Sequence, residues 1–214
     1  VRGAGCFEER PGAIEYGGLR TCTAVNATGS GETGCGFGCL GCGDCVAACS
    51  FGAIAINPST GLPEVDETKC TSCGACAKAC PRHIIEIRPK GRVIKEVPHR
   101  VYVACVNKDK GAVAKKNCQA ACIGCGKCQK VCKFDAITVE GNVAYINPEK
   151  CKACGLCARE CPTGAIMTTW PLPVIKPKAA DDKTQKAAEP KPAPAAKPQA
   201  ENTPNNNNTE GGKQ

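Results

Sequence analysis

Cysteine is the residue type in this chain that can do chemistry, and its spacing says which chemistry. Of 21 cysteines, sixteen fall into four copies of C-x2-C-x2-C-x3-C. The copies are Cys39, Cys42, Cys45 and Cys49; Cys70, Cys73, Cys76 and Cys80; Cys122, Cys125, Cys128 and Cys132; and Cys151, Cys154, Cys157 and Cys161. Three thiolates at two-residue gaps curl a short loop around one [4Fe-4S] cubane, and the fourth cysteine leads away toward a neighbouring cluster. Structural zinc uses two separated knuckles with four ligands in all, whereas each copy here holds four cysteines within eleven residues. A disulfide scaffold fits no better, because the cysteine count is odd and the triplets are too tight to cross-link.

In paired motifs of the bacterial ferredoxin type the fourth cysteine ligates the other cluster. On these positions the first cluster takes Cys39, Cys42, Cys45 and Cys80, and the second takes Cys70, Cys73, Cys76 and Cys49. The third takes Cys122, Cys125, Cys128 and Cys161, and the fourth takes Cys151, Cys154, Cys157 and Cys132. Each exchange staples two motifs into one unit. Five cysteines remain: Cys6, Cys22, Cys35, Cys105 and Cys118. Two readings of them stay open. Cys6, Cys22 and Cys35 are candidate ligands of a fifth cluster, or the five are small buried hydrophobes packed on the cluster loops. Neither half has an obvious fourth ligand for a further cubane, which favours packing.

The elements that must position these thiols repeat with them. Cys22, Cys35, Cys39, Cys42, Cys45 and Cys49 recur 83 residues later as Cys105, Cys118, Cys122, Cys125, Cys128 and Cys132. The later motif of each half recurs at 81, from Cys70 to Cys151. Such a duplication reads as two tandem dicluster modules. The expected fold is α+β: a cysteine-containing segment over residues 1–34, a first dicluster module over 35–90, a linker with a cysteine arm over 91–117, and a second module over 118–170. A disordered tail over 171–214 follows, dominated by Pro, Ala, Lys, Asn and Gln. Short strands are expected at 53–56, 84–87, 136–139 and 143–146, with a hairpin turn at Glu140, Gly141 and Asn142. The C-x3-C segments read as one or two helical turns, with Pro81 and Pro162 fixing the backbone just after Cys80 and Cys161.

Composition agrees with metal as the organiser. Aromatic residues make up 4% of the chain, so there is little material for a conventional core. The metal-free chain is expected to be largely unfolded. The formal net charge is +8. An oxidised cluster with its thiolates carries about −2, so four of them nearly cancel it. No basic and aromatic stripe suggests nucleic acid. Gly29, Gly31 and Gly34 match G-x-G-x-x-G but run straight into Cys35 rather than opening a helix, so they read as a loop. His83 and His99 sit beside charges and prolines as surface residues. There is no nucleophile–base constellation, hence no catalytic residue, and no apolar run long enough to span a membrane.

One family carries the longer strings. Gly34-Cys35-Gly36-Phe37-Gly38-Cys39-Leu40-Gly41-Cys42-Gly43-Asp44-Cys45, Asn107-Lys108-Asp109-Lys110-Gly111, and Cys118-x3-Cys122-Ile123-Gly124-Cys125 resemble the B subunit of the Rnf ion-translocating electron transport complex. The resemblance covers residues 1 to about 168. It implies a role as electron carrier, taking electrons from reduced ferredoxin toward the membrane and flavin subunits of a ferredoxin:NAD oxidoreductase that moves Na+ or H+. It also implies a place on the cytoplasmic face of the plasma membrane, reached through partners or through an N-terminal anchor and extra cluster segment expected ahead of Val1. Relatives often lack a cysteine at the position of Cys42, which would give Cys35 more weight in them. The alternative is a soluble polyferredoxin serving another oxidoreductase, such as a hydrogenase or formate dehydrogenase. A zinc-dependent structural or interaction module is the reading from a different class.

Overall fold

A computed structural model describes residues 1–12, 15–29 and 31–172. The expected tail lies outside the described residues from Pro173 onward. The chain runs through α1 (Cys22–Thr28), α2 (Asp44–Ala47), β1 (Ile54–Ile56), β2 (Pro63–Val65), α3 (Ala75–Ala79), β3 (Arg92–Ile94) and β4 (Val97–His99). It continues with β5 (Val101–Val103), α4 (Gly111–Asn117), α5 (Lys127–Val131), β6 (Ile137–Glu140), β7 (Val143–Ile146), α6 (Leu156–Arg159) and β8 (Ile166–Thr168). The described strands pair only in twos, all antiparallel: β1 with β2, β3 with β4, β5 with β8, and β6 with β7.

The four helical turns expected between the cysteines are present as α2, α3, α5 and α6, and the β6–β7 hairpin turns where expected. Gly141 and Asn142 have φ of 54° and 62° there, the left-handed pair that a tight hairpin needs. The strand expected at 84–87 does not form. Ile84 instead gives its carbonyl to a single partner, the Arg2 amide at 2.6 Å, and one such bond is not a ladder. Ala165, which follows Ile84 by the repeat distance of 81, accepts from the Ala104 amide at 2.8 Å. Residues 1–4 therefore occupy in the first module the place that β5 occupies in the second. The Ala4 amide bonds the Ala104 carbonyl at 2.9 Å, so the same segment also touches the second module.

The stretch over 91–117 does more than link. It supplies the β3–β4 hairpin, the strand β5 that closes the second module against β8, and α4, whose Ala114 is buried. The main core lies in the second module. Val103, Ile146 and Ala165 are fully buried, with Val101, Ile137, Ala144 and Ile166 around them. The first module buries only Cys45, Ile54, Ile84 and Ile85 as a cluster. Several core positions are alanine or cysteine, small side chains that leave room between the cysteine loops.

Candidate metal centres

Every motif reads C-x2-C-G-x-C-x3-C, and the glycine has a physical cause. Gly43, Gly74, Gly126 and Gly155 stand as N-caps of α2, α3, α5 and α6 at φ of 86°, 80°, 71° and 76°. That left-handed turn costs an L side chain about 1–2 kcal/mol, and it lifts the third cysteine onto the helix facing the loop it came from. The residue before the second cysteine is left-handed too: Gly41 and Gly124 in the leading motifs, Ser72 and Ala153 in the trailing ones. Gly41 and Ala153 there aim their amides at the first cysteine of their own motif, at 3.4 Å from the sulfurs of Cys39 and Cys151. The Ala53 and Ala144 amides donate at 3.4 Å to Cys49 and Cys122.

In the second module the motif thiols line two cavities. Cys122, Cys125, Cys128 and Cys161 line one cavity, closed by Val139, Ala144 and Ile166. Cys132, Cys151, Cys154 and Cys157 line another, closed by Val101, Phe134 and Ile137. Burial, followed by neighbouring thiols, pushes Cys128 up to about 11 and Cys157 up to about 12.

In the first module one cavity is lined by Cys39, Cys45 and Cys80 together with Cys22. Cys42 stays outside that lining, and its thiol points back to the Leu40 carbonyl at 3.5 Å. Cys22 and Cys42 are close enough to bond one another; burial first, then Cys22, pushes Cys42 up to about 11. Cys22 is held there by Asp44, whose carboxylate accepts the Cys22 and Thr23 amides at 2.8 and 3.1 Å and the Thr23 hydroxyl at 3.0 Å. Burial opposes the Asp44 charge, but these donors outweigh it and keep the carboxyl below its usual range. Around the remaining motif, Cys76 is raised by burial and has Cys70 and Cys49 as thiol neighbours, whereas backbone amides led by that of Ala53 lower Cys49. Cys73 is exposed, as are Cys125 and Cys154, so the second cysteine of three motifs faces solvent.

The donor set fits [4Fe-4S] groups. Thiols ring cavities from several sides, the walls are apolar, and amides point at sulfur. Among the described residues no three His, Cys, Asp or Glu side chains converge on the position of a single ion.

The five cysteines outside the motifs separate. Cys22 joins the first cavity. Cys35, Cys105 and Cys118 are buried around another cavity, and Cys6 follows Gly5 at its rim. Sequence reasoning does not reach the polar residues that set these loops. Arg82 bonds the carbonyls of Cys35 at 3.1 Å, Gly38 at 2.7 Å and Gly29 at 3.2 Å, tying the loop after α1 to Pro81. Asn107 is 1% exposed and donates to the sulfurs of Cys105 at 3.5 Å and Cys35 at 3.7 Å. Only the family resemblance marks the string Asn107 to Gly111 in the sequence. A cleft of about 340 Å³ opens beside Cys151, lined by Arg88, Arg92, His99, Arg100 and Lys152. His99 stacks on Trp170 with ring centres 4.2 Å apart.

Comparison with known proteins agrees with this geometry. A 4Fe-4S dicluster domain family matches residues 38–84 and again 121–165, and a second 4Fe-4S dicluster family matches 69–136. The chain is 45% identical over 148 residues to the B subunit of the Na(+)-translocating ferredoxin:NAD(+) oxidoreductase complex of Acetobacterium woodii, covering 69% of this chain and 42% of the relative. It is 40% identical over 139 residues to the B subunit of the ion-translocating oxidoreductase complex of Methanosarcina acetivorans, covering 65% and 50%. It is 44% identical over 138 residues to the B subunit of the proton-translocating ferredoxin:NAD(+) oxidoreductase complex of Clostridium ljungdahlii, covering 64% and 46%. The chain thus spans about half the length of the curated relatives it matches.

Proposed function

We propose, from the premise that this chain is a homologue of the B subunits of ion-translocating Rnf-type oxidoreductase complexes and carries two 4Fe-4S dicluster domains, that it is the electron-relay part of such a complex. The observation that carries the reading is the ring of four motif cysteines around each of two cavities in the second module, each ring completed by the fourth cysteine of the other motif.

Cys122, Cys125, Cys128 and Cys161 hold one group, and Cys151, Cys154, Cys157 and Cys132 the next. In the first module Cys39, Cys45 and Cys80 hold a third with Cys42 as the fourth ligand by motif, and Cys70, Cys73, Cys76 and Cys49 hold the last. A bound [4Fe-4S] cluster supplies one-electron chemistry without proton transfer, at a potential of about −400 mV in low-potential ferredoxins. The chain's own part is to keep water away with the apolar walls and to stabilise thiolate charge with amide donors, both of which tune that potential. The exposed Cys73, Cys125 and Cys154 bring three sites close to solvent, where a partner can reach them.

The electron donor in this reading is reduced ferredoxin, and the acceptors are the flavin and membrane subunits of the complex on the cytoplasmic face of the membrane. Among the described residues no helix is long and apolar enough to cross a membrane. The cationic cleft beside Cys151 supports docking of an acidic protein donor there, because complementary charge raises the association rate most at low salt. The test is stopped-flow reduction of the reconstituted chain. Ferredoxin should reduce it rapidly, with a rate that falls as ionic strength rises, and Arg92→Glu with Lys152→Glu should slow ferredoxin while leaving dithionite unaffected. Equal rates in wild type and the double variant at low salt would remove the cleft as the docking face. Failure of ferredoxin to reduce the wild type at all would remove ferredoxin as donor.

A further inference from the structure

Three of the cysteines that the motifs leave over come from different parts of the chain and meet in one place. Cys35 precedes the first motif, Cys105 follows β5, and Cys118 caps α4, yet all three line a single cavity and are 4%, 9% and 7% exposed. Each half alone has too few thiols for a further group; the cavity pools them across the halves.

The cavity is also built for an anion. Arg10 lines it and is only 6% exposed, and its Nε has no hydrogen-bond partner among the described residues. A buried guanidinium nitrogen left unpaired is costly, so it points to a negatively charged occupant. Arg2 lines the same cavity, and its guanidinium bonds the Val103 and Cys105 carbonyls at 3.3 and 3.2 Å. Amides already point at the sulfurs: the Asn107 backbone amide donates to Cys105 and its side-chain amide to Cys35. Gly5 must be glycine, since a Cβ there would lie 2.7 Å from the Cys118 sulfur. Cys6 follows Gly5, which lines the cavity.

We infer that Cys35, Cys105, Cys118 and Cys6 form a fifth [4Fe-4S] site, lying between the two modules. Its position gives it a task. Cys39 lines both this cavity and the first cavity of the leading module, and Ala121, which lines this cavity, is followed by Cys122, whose thiol belongs to the second module's first cavity. The site therefore connects the first module to the second. The inference deepens the relay reading and rests on it for that task, but the binding site stands on its own geometry.

Native mass spectrometry of the anaerobically reconstituted full chain, with iron and sulfide analysis, tests it. The most heavily loaded species should carry about 20 iron atoms. Cys35→Ala, Cys118→Ala and Cys6→Ala should each lower the iron content at this one site, the first two by about four atoms. A wild-type maximum of about 16, or unchanged loading in all three variants, would overturn the fifth site while leaving the four-cluster relay intact. Arg10→Gln keeps every thiol and gives a second reading. It should retain the iron and move one midpoint potential to a more negative value in an EPR-monitored titration. If no potential moves, the occupant does not lie against Arg10 and the placement fails.

Discussion

Cys22 and Cys42 compete for one corner of the first site. The motif favours Cys42, while the folded chain turns Cys42 toward a carbonyl and brings Cys22 into the ring. Each thiol is placed where it can stand in for the other. Cys22→Ala and Cys42→Ala should each keep full iron content, and the double variant should lose about four iron atoms, read by iron analysis. Loss in either single variant would show that the corner has one owner. Protonation belongs to the same scale. Burial, with thiol neighbours second, pushes Cys45 and Cys128 up to about 11 and Cys157 up to about 12, so these groups are neutral thiols across the physiological range. Iron must displace their protons, and affinity therefore falls as pH falls, about tenfold per displaced proton per pH unit. Reconstitution yield measured by absorbance should be lower at pH 6 than at pH 8, the opposite of what acid-assembled sites would give.

At the scale of the element, the left-handed residues decide how the loops turn. Gly126 has open space where a Cβ would lie, so Gly126→Ala should cost only the backbone penalty of about 1–2 kcal/mol. Gly124 has φ of 64°, and a Cβ there would come within 2.8 Å of the Asn142 carbonyl oxygen. Gly124→Ala should therefore destabilise the holo protein more than Gly126→Ala, measured as the difference in thermal unfolding midpoint. Ala153 carries the penalty already, at φ of 53°. Ala153→Gly should raise the midpoint provided the freed strain exceeds the added chain entropy, a balance of about 1 kcal/mol on either side. A lower midpoint would mean that chain entropy and the packing of the methyl group beside Cys151 together outweigh the released strain.

Across the whole molecule the order of size matters more than any one contact. The larger apolar cluster surrounds β5, β6, β7 and β8, and the first module has only a small one. The second module should then outlast the first when iron is withdrawn. Chelation followed by hydrogen exchange should expose the amides of β1 and β2 before those of β6 and β7, and simultaneous loss would contradict the difference in cores. Ile146→Ala, at a fully buried position, should cost about 2–5 kcal/mol and reverse that order. Residues 1–4 bond both modules through Arg2 and Ala4, so their removal should loosen the first module while sparing the β5–β8 pair.

Much of this protein is legible in its sequence because metal ligation is local. Four cysteines within eleven residues and a glycine at a fixed offset define a loop with little help from the rest of the chain, and so the loops, the helical turns and the duplication can be read directly. The β6–β7 hairpin is readable for the same reason, since Gly141 and Asn142 specify the turn themselves. What the sequence does not decide depends on residues far apart in the chain. The strand expected at 84–87 lacks a partner ladder because residues 1–4 supply only one bond there, while β5, which reads as linker, finds its ladder in β8. Cys22 and Cys105 are equivalent in the repeat and yet go to different cavities. Their destinations are set by Asp44 holding the start of α1 and by Asn107 holding the turn after β5, and only the packed chain brings those anchors to the thiols.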